Sequence, residues 1–534
     1  MTEARLKHFG WGREGEGMTP DEEKFVLARN RERFGVNAFD ERMPPHLNDI
    51  ALHAPRITPP VPLATFCTTA TYDRLAHTYG KSFPDTVRGL AGDYANAPDA
   101  VAYPRNETEV SSVIDWAGSA QAALTPFGGG SSVVGGVEPR LGPGHRGAAS
   151  LDLSALSKVR EVDDVSRLAL IEAGAFGPAL EAQLAARGLT LRCFPQSFEF
   201  STLGGWIATR AGGHFATLHT RIDDLVHSVR LVSPRGVLET PRFPSSGAGP
   251  DPKRLVLGSE GTLGVITEAW MRVQPRPTHR AQASVNFERF DDAVAAARAL
   301  AQSGLYPSNC RLLDPIEALL HGVALDGSAV LLLAFESSDH GLSAWIDRAL
   351  ELARSHRGRS EGGAQLRETA RGGDAQAEDW RKAFLEGPYL QDALICLGVI
   401  ADTFETACTW TAFPQLYASV NDAMTQALSR VCGGGAVSCR FTHVYPDGPA
   451  PYFTFIGKAR AGAELTQWAE LKQCASNALQ AAGGTITHHH AVGRVHRDGY
   501  LRESPPAFIE ALRAVKSQLD PSGLLNPGVL FPER

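Results

Sequence analysis

Three short stretches crowded with glycine constrain this chain more than any other feature, because each strips Cβ atoms from a place where backbone approaches something closely. They are PFGGGSSVVGG at 126–136, PQSFEFSTLGGWIATRAGG at 195–213 and LGSEGTLGVITEA at 257–269. The chain holds 53 glycines in 534 residues, above average usage of roughly 7%. Twelve of them stand here: Gly128, Gly129, Gly130, Gly135, Gly136, Gly204, Gly205, Gly212, Gly213, Gly258, Gly261 and Gly264. Consecutive glycines adopt positive φ freely, so successive N–H groups can converge on an anion. The first stretch is no P-loop, since no GKS or GKT follows, and the Rossmann spacing GxGxxG fails at Val133. Alone it reads equally well as a plain turn; three such loops in one region point to a pyrophosphate-bearing ligand. Ser201 and Thr202 add hydroxyls for a phosphate or ribose, and the β-branched run Val265, Ile266, Thr267 can offer backbone groups to an adenine edge.

At 534 residues the chain exceeds one compact core and predicts roughly two to four domains. With 43% hydrophobic and 21% charged residues it is neither disordered nor a coiled coil. A net charge of -7 without a basic block sets nucleic acid aside as a partner. The eight cysteines lie far apart with no CxxC, against a zinc site or a redox pair and in favour of a reducing, cytoplasmic setting. No run reaches the roughly 18 apolar residues of a membrane span. The first residues, MTEARLKHFGWGREGEG, lack a signal-peptide core, and the final LFPER is not an SKL-type address.

Element order predicts an α+β fold. The first 90 residues mix charged helical stretches with the proline-rich connector PRITPPVPLATF and read as an N-terminal extension. VAYPRNETEVSSVIDWAG gives a strand, a turn and a helix with a polar entry. LALIEAGA, LVHSVRLVSPRG and LGVITEAWMRV are strands around the helix GPALEAQLAARG, so one domain spans 91–275. A second α+β domain follows over 276–484, with a helix at DDAVAAARALAQSG, a strand at SAVLLLAFES and a long helix, AELTQWAELKQCASNALQAA, stopped by glycines. The remaining 485–534 hold TITHHHAVG, predicted as a strand, and a tail helix stopped by Pro521.

PFGGGSSV, FEFSTLGGWIATRAGG, IDDLVHSVRLVSPRG, GSEGTLGVITE and the late HHHAVG resemble, in wording and order, the flavin-binding enzymes of the vanillyl-alcohol oxidase superfamily, the p-cresol methylhydroxylase type. Within it the chain is most similar to the alkyldihydroxyacetonephosphate synthase (alkylglycerone-phosphate synthase) family, over roughly residues 90–530. The resemblance implies FAD held by a two-part α+β domain, with an α+β cap domain over the flavin ring. Some members attach FAD through a histidine in the first loop; Ser131 and Ser132 stand there, implying non-covalent FAD. The loops nominate as cofactor-binding Pro126, Gly128, Gly129, Gly130, Ser131, Ser132, Gly135, Pro195, Ser201, Thr202, Gly204, Gly205, Thr209, Glu260, Gly261, Gly264, Val265 and Ile266. A homodimer is expected, and no metal.

His488, His489 and His490 supply proton donors and acceptors near neutrality, suited to acid–base work. The alternatives are a metal cluster or a structural role, and adjacent positions make poor metal geometry. In a strand His488 and His490 would share one face and His489 the other. The resemblance places this tract in the active site. Tyr452, in APYFTFIGKA, reads by itself as a core aromatic; the resemblance moves it to the site. Arg311, alone among apolar neighbours in NCRLLDP, invites an anionic partner, and the resemblance assigns that segment an important arginine. The family also carries an arginine just before the aspartate of PYLQDALICLGVIADTFETACTW, where this chain has Gln391. An amide donates hydrogen bonds but cannot clamp an anion as guanidinium does.

Two activities follow. The resemblance implies either an FAD-linked oxidoreductase of a hydroxy acid or alcohol, or a synthase of the ether-lipid type, expected to exchange the acyl chain of acyl-dihydroxyacetone phosphate for a fatty alcohol with flavin N5 as covalent anchor. Either way the partner is a small or lipid-like molecule.

Overall fold

The computed structural model describes residues 5–34, 42–367 and 387–532. Two small sheets build the first unit. In one, strands Ala100–Ala102, Gly147–Asp152 and Ala122–Phe127 run parallel, with Cys67–Thr68 antiparallel at the far edge. The sheet therefore begins inside the stretch expected as the N-terminal extension; a two-residue strand carries no periodicity to announce it. In the other, Val159–Asp163, Leu168–Glu172, Val265–Arg272, Val226–Ser233 and Gly236–Glu239 form an antiparallel sheet in that order.

Helix Glu107–Ser119 shows how sequence makes such elements. Asn106 caps it by accepting the Glu109 N–H at 3.0 Å, and Val110, Val113, Ile114 and Ala117 recur at helical spacing as its buried face. That face joins a core shared by both sheets.

The second unit is one seven-stranded antiparallel sheet, in the order Gln365–Arg367, His279–Phe287, Ala329–Ser337, Asn309–Leu313, Gly435–Val444, Pro449–Lys458, Val399–Glu405. On one face lie helices Phe290–Ala301 and Ser343–Ser355 over one half and Phe413–Cys432 and Glu464–Ala481 over the other; on the opposite face the short helix Pro315–Leu320 packs beside Leu313, Val330 and Leu332, and Leu394 and Leu397 pack against Val399, Ala401 and Ile456. Phe413–Cys432 ends at Gly433 with φ 76°, a left-handed stop that glycine takes without strain. Between those two patches the opposite face looks towards the glycine loops. After the cap the chain returns to the first unit. Leu124 on the edge strand donates its N–H to the Leu524 carbonyl at 2.8 Å and accepts from Asn526 at 2.9 Å, so the tail extends the parallel sheet.

The histidine tract departs from expectation. Residues 485–492 form no strand, because the N–H groups of three successive histidines turn towards a single carboxylate instead of a neighbouring strand. The facing rule for His488, His489 and His490 therefore does not apply.

The first two glycine loops are pressed together. A Cβ on Gly129 would stand 1.8 Å from the Phe200 carbonyl oxygen, and one on Gly128 2.3 Å from Thr202 Oγ1. Gly129→Ala must push backbone away from backbone, a loss of about 2 kcal/mol or more, read as a lower thermal unfolding midpoint. An unchanged midpoint would mean that the loops do not meet as described.

Candidate active site

Between the glycine loops and this face of the cap sheet lies a cavity of about 320 Å³. Period-two alternation puts chemistry on that face. In CRFTH, Arg440 and Thr442 face the cavity while Cys439 and Phe441 enter the core; in YFTF, Tyr452 and Thr454 face it while Phe453 and Phe455 do not. Arg440 pairs with Tyr452 across neighbouring strands and with Leu313, two residues from Arg311, on the other side. One face thus gathers two guanidiniums and a phenol.

From the loops, Gly128, Gly129, Gly130, Ser131, Ser132, Pro195, Ser201, Thr202, Gly205 and Thr209 line this cavity. A smaller adjoining one, about 90 Å³, is lined by Pro126, Gly204, Glu260, Gly261, Gly264 and Ile266, and the two share Gly128, Ser132, Thr202, Gly205 and Thr209. Together they make an elongated, glycine-walled cleft that suits a dinucleotide. Three nominated residues stand outside it. Gly135 turns its carbonyl to Arg494, Val265 pairs with Val232 inside the core, and His488 turns towards Tyr445, whose hydroxyl is 2.8 Å from its Nε2. The Ser201 hydroxyl, expected to reach a ligand, donates to the Ser197 carbonyl at 2.7 Å and accepts from the Trp206 indole at 2.7 Å. Thr202 Oγ1 caps the short helix Leu203–Thr209 by accepting the Gly205 N–H at 3.5 Å. Both hydroxyls brace the loop as placed.

Two buried carboxylates hold the histidine segment. Glu405, at the end of strand Val399–Glu405, accepts the N–H groups of His488, His489 and His490 and the Thr487 hydroxyl, the last at 2.6 Å. Burial alone would raise this carboxyl; the Thr487 hydroxyl and the three backbone N–H groups that converge on it favour its ionised form and hold it well below the ordinary range. Glu260, from the third glycine loop, accepts the Val492 and Gly493 N–H groups, both at 2.8 Å. Burial pushes its carboxyl up to about 7 against those donors. Glu260, nominated for the cofactor, lines the smaller cavity, and its carboxylate also ties the histidine segment to the flavin-loop side.

His489 and His490 line the cavity. Tyr452 stacks on His489 with ring centres 5.9 Å apart and meets His490 edge-on at 5.4 Å. Burial lowers His489 to about 3 and His490 to about 4, with Glu405 opposing. Both are neutral at pH 7 and can accept a proton. The Tyr452 hydroxyl donates to Thr403 Oγ1 at 3.0 Å, and burial raises its phenol. Arg440 lies over the Tyr452 ring at 3.9 Å and pairs with buried Glu317. Arg311 is only 2% exposed, and burial, then Arg440, brings it down to about 9. Gln391 also lines the cavity, its amide donating to the Ala401 carbonyl at 3.2 Å.

Glu405, Arg440 and His443 escaped sequence reading, although the alternation in CRFTHVY could have flagged Arg440. His443 also alters the metal argument. Its ring nitrogen and those of His488 and His489 come within 4.8 Å of one another, a grouping that adjacency in sequence hid. Those nitrogens already have protein partners: His443 bonds the Gly213 carbonyl at 3.0 Å and Thr442 Oγ1 at 3.1 Å, and His488 meets His489 at 3.0 Å.

Comparison with known proteins agrees with this architecture. Residues 98–240 match the FAD binding domain family, and residues 276–530 the C-terminal domain of FAD linked oxidases. An alkyldihydroxyacetonephosphate synthase of Dictyostelium discoideum is 31% identical over 481 residues, covering 86% of this chain and 77% of the relative. A mitochondrial D-lactate dehydrogenase (cytochrome) of Arabidopsis thaliana is 27% identical over 444 residues, covering 82% and 74%. A solved alkyldihydroxyacetonephosphate synthase superposes with a TM-score of 0.79 at 25% identity, over 98% of both chains. FAD is the cofactor that these matches assign.

The buried imidazoles set a pH dependence. Unfolded, each binds a proton near about 6.5; folded, His490 does so only near about 4. The folded value is the lower, so the unfolded chain takes the proton first, and stability present at neutral pH is lost as pH falls from about 6.5 towards 4. Each such histidine contributes about 1.4 kcal/mol per pH unit in that window. In His490→Gln, thermal stability should fall less steeply with acid than in the wild type; parallel curves would contradict a neutral, buried His490.

Proposed function

The chain belongs to the alkyldihydroxyacetonephosphate synthase family of FAD-linked enzymes, and from that premise we propose that it is an FAD-dependent oxidoreductase of a hydroxy acid or an alcohol bearing an anionic group. The observation that carries this reading is the pairing, on one cavity, of neutral histidines with a cationic wall. Arg311 and Arg440 hold the anionic end of the substrate through charge-assisted hydrogen bonds. This sets the carbinol carbon against the flavin-facing loops. His489 or His490 accepts the hydroxyl proton, with the Glu405 carboxylate behind them stabilising the imidazolium that forms. FAD held in the cleft would supply the hydride acceptor for the carbinol carbon, and the product would be a carbonyl compound. The two-lobed cleft holds FAD without a covalent bond: Gly128, Gly129 and Gly130 allow close approach, and Ser131 and Ser132 stand where an attaching histidine would be.

The proposed domains are an extension over 1–90, an FAD domain over 91–275, a cap over 276–484 and the histidine segment with its tail over 485–534. Eight cysteines without a disulfide support a cytoplasmic setting, and no helix among the described residues is long and apolar enough to cross a membrane. The homodimer rests on the family resemblance.

A synthase exchanging acyl for alkyl chains is the second reading, favoured by the 31% identity to the Dictyostelium synthase. Against it stands Gln391, uncharged where the resemblance places an arginine and engaged with a backbone carbonyl.

Anaerobic addition of hydroxy acids or alcohols separates the two. Bleaching of the flavin absorption supports the oxidoreductase; turnover of palmitoyl-dihydroxyacetone phosphate and hexadecanol with the flavin left oxidised supports the synthase. For the oxidoreductase, Arg311→Gln should raise KM about 10- to 100-fold, the worth of one charge-assisted hydrogen bond. An unaltered KM would remove Arg311 from the substrate. Gln391→Arg should not create synthase turnover; its appearance would show that this single position limits that chemistry.

A further inference from the structure

The N-terminal hairpin reaches the cavity. Lys7 donates its N–H to the Gly12 carbonyl at 3.0 Å and Glu14 to the Arg5 carbonyl at 2.9 Å, with Leu6 bridged to Arg13. At the tip Gly10 and Gly12 take φ of 69° and 95°, so the turn presenting Trp11 is one that glycine closes without strain. Both glycines are also fitted to what they face. A Cβ on Gly10 would lie 2.4 Å from Asp392 Oδ2, and one on Gly12 2.9 Å from the Tyr389 ring.

Trp11 is 4% exposed and lines the cavity beside Leu390, Gln391 and Leu394. Its backbone N–H donates to the Asp392 carboxylate at 2.6 Å, and its ring leans on Phe200 of the second glycine loop at 6.0 Å. Phe200 in turn stands edge-on to Tyr389 at 6.0 Å. The tip therefore joins the helix through 387–396 to a flavin loop. A hairpin that served only to anchor the fold would bury its aromatics in a core. Phe9 does so, packing against the cluster of Phe83 and Val87, whereas Trp11 belongs to none of the described hydrophobic cores. Its indole N–H is buried without an acceptor among the described residues.

We propose that the hairpin is a working part of the active site and that Trp11 is a specificity-determining residue, forming with Leu390 and Leu394 the wall that receives the apolar portion of the substrate. The kinetic half of the test rests on the oxidoreductase reading; the wall itself does not. Removing the ring lengthens the space available to an alkyl chain, while the glycine loops that hold FAD keep their own contacts.

The full-length holoenzyme is compared with Trp11→Ala, with the milder truncation Trp11→Leu, and with Trp11→Phe. Straight-chain 2-hydroxy acids of increasing length serve as substrates for anaerobic flavin reduction. Straight-chain carboxylates, which do not react, serve as ligands read by perturbation of the flavin absorption. FAD per chain should be unchanged in all three variants. The truncations should raise the KM of the wild type's best substrate roughly tenfold with kcat within about twofold, and move the preferred length upwards in both series. Trp11→Phe should keep the wild-type profile. Identical chain-length profiles in wild type and in a truncation that retains FAD would overturn the proposal. Failure of the wild type to reduce its flavin with any substrate would instead overturn the oxidoreductase reading, and the carboxylate profiles would still decide on Trp11.

Discussion

The site depends on one arrangement: two buried carboxylates, one from each unit of the fold, gripping opposite ends of the segment 488–493. Glu405 takes three successive N–H groups at one end, and Glu260 takes two at the other. A buried carboxylate is tolerated only when its lone pairs are met, and a buried backbone N–H has the same need. Here each satisfies the other. His489 and His490 are consequently fixed between cap and flavin loops by backbone, and their rings are left over for chemistry.

The cap sheet supplies the opposite wall by simple alternation. Every second residue of strands Gly435–Val444 and Pro449–Lys458 enters a core of phenylalanines beneath two long helices. The intervening residues, Arg440, Thr442, Tyr452 and Thr454, point the other way and face the cavity. Burial strips water from these groups, which strengthens their electrostatics, and the Arg440–Glu317 pair keeps one guanidinium compensated from behind. The outcome is a cationic wall opposite neutral bases.

Much of this was legible in sequence where local chemistry decides it. The glycine loops declared themselves because only missing Cβ atoms allow Gly128 and Gly129 to meet Phe200 and Thr202. Helix Glu107–Ser119 and strands Val226–Ser233 and Val265–Arg272 follow from capping and β-branched runs. What stayed hidden depends on partners far along the chain. The histidine tract has the composition of a strand, yet Glu405, 83 residues away from His488, bends it. Glu260 sits in a motif suggestive of cofactor contact while its carboxylate faces Val492 and Gly493, 232 and 233 residues on. Arg440 and His443 were reachable in principle, since alternation assigns a face once the strand is known, but nothing local says which face meets the flavin loops. Trp11 was visible as GWG without any sign that its turn closes against Asp392.

The central claim is that Glu405 holds neutral histidines in place as the proton acceptors of the reaction. Its most direct test is the rate of anaerobic flavin reduction in Glu405→Gln, measured with saturating substrate across the neutral pH range. A glutamine presents an amide N–H₂ to backbone donors and carries no charge behind the imidazoles. The account predicts that FAD stays bound while the reduction rate falls by about 100-fold or more. Flavin reduction at the wild-type rate, with the same pH profile, would contradict it.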